Sequence, residues 1–265
     1  MASIQVSGNG SQTTNETSGS YKGVFVSATA TTPGDLTHTV MKGIRCTVNL
    51  YTPSGSFTIH SGQAWPLAMG NNPGSNEGNV SNSYNSLYID WGGIVNVGQN
   101  DRIQIQLDVA SSATGQVTTA TLVPATGIGY YVPQLLLYSV NLNNATQTFP
   151  AGDNVTKVAV VTDGSADVIT KINASSDIWS ADFSVPDFRA LQASDYPYAF
   201  ATGDIVYNVY DGPEAQRFKL ELSVDTGQTA DCFIVSFAGV RTKEITEKAT
   251  RLAVKIAGEV SERYM

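Results

Sequence analysis

An all-β chain made of two tandem eight-stranded β-sandwiches is the fold class this sequence predicts, and three observations carry it. Only 14% of the 265 residues are charged, while Ser, Thr, Asn and Gly abound, as in proteins of strands and turns with neutral polar surfaces. The stretch Arg102 to Val109 alternates apolar and polar residues strictly. As a strand it lines a core with Ile103, Ile105, Leu107 and Val109 and turns Gln104, Gln106 and Asp108 to solvent. The same design returns 115 residues later at Arg217 to Val224, with Phe218, Leu220, Leu222 and Val224 inward.

Any amphipathic strand alternates, so one such match carries little weight. Here the neighbours match too: Ile94 to Val97 and Ile205 to Val209 lie upstream, and Thr114-Gly115-Gln116 and Thr226-Gly227-Gln228 follow downstream. An offset of 115 residues exceeds the period of solenoids and propeller blades and is close to a whole sandwich domain, so the chain reads as a duplication.

Taken in order, residues 7 to 20 hold no apolar side chain, and a flexible arm over 1–20 that orders only against a neighbour is expected. A first domain over 21–130 then begins with a strand at Val24 to Ala30. In the strand from Gly43 to Tyr51, Ile44, Cys46, Val48 and Leu50 share one face. The turn Thr52-Pro53-Ser54-Gly55 leads into Ser56 to His60, and Gly62 to Ser86 reads as the longest irregular stretch of the chain. Strands at Leu87 to Trp91, Ile94 to Val97, Arg102 to Val109 and Gln116 to Val123 bring the count near the eight of a jelly roll.

A second domain over 131–240 opens at Val132 to Val140 and again approaches eight strands, with a short helix near Pro186, which suits a first helical turn. Residues 241–265 differ. Thr242 can cap a helix on which Ile245, Ala249, Leu252, Ile256 and Val260 form one apolar stripe, with Glu244–Lys248 and Glu247–Arg251 as i,i+4 pairs.

Net charge is −8, split between an acidic body of −10 and this C-terminal segment of +2. An acidic body argues against phosphate-backbone binding, so no direct sequence-specific nucleic-acid partner is expected of it. Cys46 and Cys232 read as buried apolar residues rather than a disulfide framework. The first residues lack the pattern of a signal peptide and no apolar run approaches a membrane span, so a soluble, cytosolically made product is expected.

The search for chemistry returns little. His38 and His60 fall in no metal-ligand spacing, no Gly-x-Ser-x-Gly elbow occurs, and carboxylates such as Asp163 and Asp211 precede glycines in apparent turns. Trp65, Trp91 and Trp179 suit core positions better than a sugar platform. No enzyme activity, cofactor or metal is expected.

The stretches Gly43 to Ser61, Asp101 to Val123 and Val155 to Val240, with the short helix at Pro186 to Gln192 and the closing Phe237-Ala238-Gly239-Val240, resemble the double jelly-roll major capsid proteins of tailless icosahedral viruses. The likeness is greatest to small bacteriophage members of the corticovirus and finnlakevirus type. The cationic C-terminal helix departs from that pattern. The resemblance implies homotrimeric, pseudo-hexagonal capsomers tiling a virion shell over an internal membrane, with penton or other minor capsid proteins as further partners. On it rests the expectation that Lys248, Arg251, Lys255 and Arg263 face inward toward that membrane, and that the loop Gly70 to Ser83 lies outside. A carbohydrate-binding or glycan-cleaving two-jelly-roll protein and a receptor-binding spike are the alternatives.

Overall fold

The computed structural model describes residues 3–71, 86–129, 131–143, 146–164, 168–184 and 206–240. The first half contributes eight strands: β1 (Ser3–Ser7), β2 (Gly10–Glu16), β3 (Gly19–Thr29), β4 (Ile44–Thr52), β5 (Gly55–Gln63), β6 (Ser86–Val97), β7 (Arg102–Val109) and β8 (Val117–Pro124). Two helices interrupt them, α1 (His38–Lys42) and α2 (Ala64–Asn71). The second half contributes β9 (Val132–Leu142), β10 (Thr146–Gly152), β11 (Val155–Thr162), β12 (Ile169–Ser175), β13 (Ser180–Ser184), β14 (Val206–Ala215), β15 (Phe218–Val224) and β16 (Ala230–Val240).

The pairing orders are β1-β8-β3-β6, β10-β15-β12-β13, and one eight-stranded sheet β14-β11-β16-β9-β5-β4-β7-β2. Numbered within its own half, each set of strands pairs as 1-8-3-6 and 2-7-4-5, which is the jelly-roll order. Strands β7 and β15 are both seventh, so the two alternating stretches occupy equivalent places. The eight-stranded sheet fuses the rolls where β5 meets β9 in parallel through one bridge, His60 opposite Leu135.

Residues 3–16 are no free arm. They form the first two strands of the first roll, with β1 on β8 and β2 on β7, and Ile4 and Val6 are buried. What the absent apolar side chains cannot supply, the ladder does: β2 is held by backbone hydrogen bonds to a strand already fixed by its core face. Likewise β6 is one strand where the sequence suggests two, because Gly92 at φ 68° bends the strand without ending it.

The stretch after β5 also departs from expectation. Ala64–Asn71 is a helix, with Pro66 in its first turn, where a missing N–H loses nothing. Its Ala64, Trp65, Leu67, Ala68 and Met69 are all buried. Gly70 and Asn71 of the predicted outer loop belong to this helix, while the loop's residues 72–83, the helix near Pro186 and the C-terminal helix over 241–265 lie outside the described residues.

The placement of α2 explains how the core is divided. In β16, Cys232 and Ile234 face the second roll's core, while Phe233, Val235 and Phe237 face the opposite way, into the cluster that holds Trp65, Leu67 and the first roll's interior. In β11, Val158 and Val160 face one side, Ala159 and Val161 the other. These strands are covered on both faces and therefore read as near-continuous apolar runs.

Candidate functional site

Nothing among the described residues assembles a reaction centre; what the fold builds with most care is the seam between the rolls. Thr37 caps α1 by accepting from the Val40 N–H at 3.4 Å, and Gly43 closes it, leaving Lys42 at the helix end. The Lys42 ammonium donates to Asp163 Oδ1 of the second roll at 2.6 Å and lies 4.6 Å over the Trp65 ring. The Lys42 carbonyl accepts from Gln63 Nε2, and the Asp163 N–H donates to the Asp231 carbonyl at 2.9 Å, so both ion-pair partners are anchored to their own rolls.

A second cation runs the other way. Lys157 on β11 sits against the Phe237 ring at 5.9 Å, and burial pushes its ammonium below the ordinary lysine range while Asp211 and Asp90 oppose that shift. Asp90 belongs to β6 of the first roll. It also acts on Tyr88, whose phenol is pushed up to about 12 by burial first, then by the Asp90 charge and a hydrogen bond to it. Lys157 thus stands in the field of carboxylates from both rolls. Asp211 lies within β14, not in a turn, whereas Asp163 stands in the bend after β11, before Gly164 at φ 69°, and from there serves the seam.

His60, opposite Leu135 at the bridge between the rolls, is wholly buried. Its Nδ1 accepts from the Trp91 indole N–H at 3.1 Å, which leaves the ring proton on Nε2, without an acceptor among the described residues. Burial depresses its pKa to about 3, so the ring is neutral at ordinary pH. Along the outside of the seam the connection from β8 to β9 follows β6: Gly129 N–H donates to Asn96 Oδ1 at 2.6 Å and the Tyr131 hydroxyl to the Gly92 carbonyl at 3.0 Å. That connection covers the edge of β6.

The remaining sequence candidates resolve as follows. Trp65 and Trp91 are buried, and the partly buried Trp179 packs at 5.1 Å from Tyr210 and 6.1 Å from Phe218 against the second roll's core. Cys46 and Cys232 are buried free thiols, both pushed up to about 12 by desolvation. Two carboxylates that the sequence reading did not single out, Asp153 and Asp177, accept from the Arg217 and Gln216 backbone N–H groups at 2.8 and 2.7 Å, where they hold turns. Lys248, Arg251, Lys255 and Arg263 lie outside the described residues. Sequence reasoning missed Lys42, Lys157 and Asp90; a lone Lys within an apolar neighbourhood was the available signal.

No protein-family model and no curated relative matches the sequence. Solved structures do. The chain is similar to the major capsid protein of bacteriophage PM2, with TM-score 0.55 and 12% identity over 91% of this chain and 99% of that one. It is similar to an atomic structure of Sulfolobus Turreted Icosahedral Virus, with TM-score 0.59 and 10% identity over 98% and 97%. Similarity to PBCV-1 VP54, fitted into a reconstruction of the virophage Sputnik, has TM-score 0.51 and 10% identity over 90% and 93%. The chain has the double jelly-roll fold. At these identities the shared property is the arrangement of two complete rolls along nearly the whole of both chains.

Proposed function

We propose that this double jelly-roll chain is a structural capsid protein of an icosahedral virion. The observation that carries the proposal is coverage: the two rolls fused through one sheet match a solved capsid protein, that of bacteriophage PM2, over 91% of this chain and 99% of that one. A seam held by α2, Lys42–Asp163 and Lys157 makes the two rolls one rigid tile, which is what a shell subunit needs. The role is assembly and not catalysis, and the site of action is the virion shell.

Three such chains make a pseudo-hexagonal capsomer of six rolls, joined in the shell by penton or other minor proteins. The apolar stripe of 241–265 packs on protein, while Lys248, Arg251, Lys255 and Arg263 turn toward an internal membrane, as in a bacteriophage of this architecture. Anionic headgroups attract each such cation by about 1 kcal/mol, an attraction that salt screens. Sedimentation of the purified chain tests the capsomer: a mass three times 28.1 kDa is expected, and a strict monomer overturns it. Changing Lys248, Arg251 and Lys255 together to Gln is expected to abolish salt-dependent binding to anionic vesicles; unchanged binding removes the membrane role.

A further inference from the structure

The strand β2 presents a contradiction that points to a partner. Its sequence Gly-Ser-Gln-Thr-Thr-Asn-Glu has no apolar side chain, five of its seven residues are exposed, and no residue in it is buried. It nevertheless forms a regular seven-residue ladder with β7, from Gly10 opposite Val109 to Glu16 opposite Ile103. Among the described residues it is the last strand of the eight-stranded sheet and leaves a row of backbone donors and acceptors facing outward.

The other outer strands carry the devices that block strand addition. Strand β14 holds Asp211, Pro213 and Glu214; β10 holds Pro150 and a register shift beside it; β13 is five residues long with Asp182 ion-paired to Lys171 at 2.9 Å. Strand β6 is covered by the β8–β9 connection, and β1 is only five residues long. Strand β2 has neither proline nor lysine, and its one charge, Glu16, sits at its end.

We infer that β2 is a self-pairing edge, which joins antiparallel to β2 of a second copy of this chain across a two-fold axis and continues the sheet from one molecule into the next. Centred on Thr13, the pairing sets Ser11 against Asn15, Gln12 against Thr14 and Gly10 against Glu16 of the second copy. Ser11–Asn15, Gln12–Thr14 and Thr13 with its own copy are neutral polar pairs of the kind that hydrogen-bond across strands, while Glu16 faces a glycine, and the two Glu16 carboxylates stand roughly 20 Å apart at opposite ends of the ribbon. The strand is therefore complementary to itself in charge. The contact is isologous and closed, so it links two molecules and no more. It requires only two copies of the chain and does not depend on the shell reading, though in a shell it would join neighbouring capsomers.

The test uses the purified full chain at high concentration, and shells where they form. Under mild oxidation Thr13→Cys is expected to yield disulfide-linked dimers about tenfold in excess of Thr148→Cys, a control on exposed β10, because only the former meets its own copy at the axis. Thr13→Lys and Thr13→Asp, each alone, place like charges directly opposite and are expected to weaken association about tenfold; mixing the two variants restores it. Melting of the separate chains should be unchanged. A Thr13→Cys chain that gives no excess of dimer, or charged variants that associate like the unaltered chain, overturns the inference. Shells that form without the Thr13 cross-link overturn this contact alone. Cross-linked dimers from a chain that builds no shell support the contact and count against the shell reading.

Discussion

His60 couples the seam to pH. Its folded pKa of about 3 lies below the unfolded value near 6.5, so at pH between these values the unfolded chain binds a proton that the folded chain refuses. The stabilisation from keeping the ring neutral is complete above pH 6.5 and is lost as pH falls through that window, by at most about 5 kcal/mol. His60→Gln retains an acceptor for the Trp91 N–H and removes the titration. Urea midpoints measured from pH 7 to pH 4 should therefore fall more steeply for the unaltered chain than for the variant, and coincident slopes would show that other groups carry the acid sensitivity. The Lys42–Asp163 pair is a weaker stabiliser despite its 2.6 Å contact, because Asp163 remains 36% exposed and solvent screens it.

At the scale of elements, α2 is the part whose shape the fold depends on most closely. Gly70 lies so near β16 that a Cβ added to it would stand 2.8 Å from the Val235 side chain. Gly70→Ala should push the helix off the sheet and cost about 1–3 kcal/mol, although alanine alone favours a helix. Val235→Ala makes room for the added methyl, so the double variant is expected to be more stable than the sum of the two single losses predicts. Strict additivity in thermal or denaturant unfolding would mean that the helix does not press on Val235 as described. The seam is thus set by contact distance at one glycine as well as by apolar area.

For the whole molecule, the consequence is cooperativity. The cluster that fills the first roll also takes in Ala159, Val161, Phe233, Val235 and Phe237 from the back of the second roll's sheet, with Trp65 set edge-on to Phe233 at 5.4 Å. Two rolls that share a core should unfold in one calorimetric transition rather than two. Trp65→Ala removes one of the two tryptophans of the shared cluster and should destabilise by about 3–5 kcal/mol. It should also split the transition, since each roll keeps its own sandwich core. A single sharp peak retained in the variant would sink the idea that α2 couples the rolls.

Wherever one face of a strand meets a core and the other meets solvent, the alternation of side chains decided the structure in advance. Ile103 to Val109 and Phe218 to Val224 occupy equivalent strands because a period of two admits only one buried face. The inward Cys46 follows from the same rule. Where that rule has no purchase, the tertiary structure decided. Strand β2 has no apolar face, so its order comes from a neighbour's backbone, which local composition cannot reveal. Helix α2 is apolar on every side and only eight residues long, too short to show a period, and becomes a helix by being enclosed. The runs Val158 to Val161 and Cys232 to Val235 did carry a trace of it, since strands apolar on both faces require a layer on each side. Which element supplies the second layer is a matter of connection and distance in space, and only the folded chain settles it.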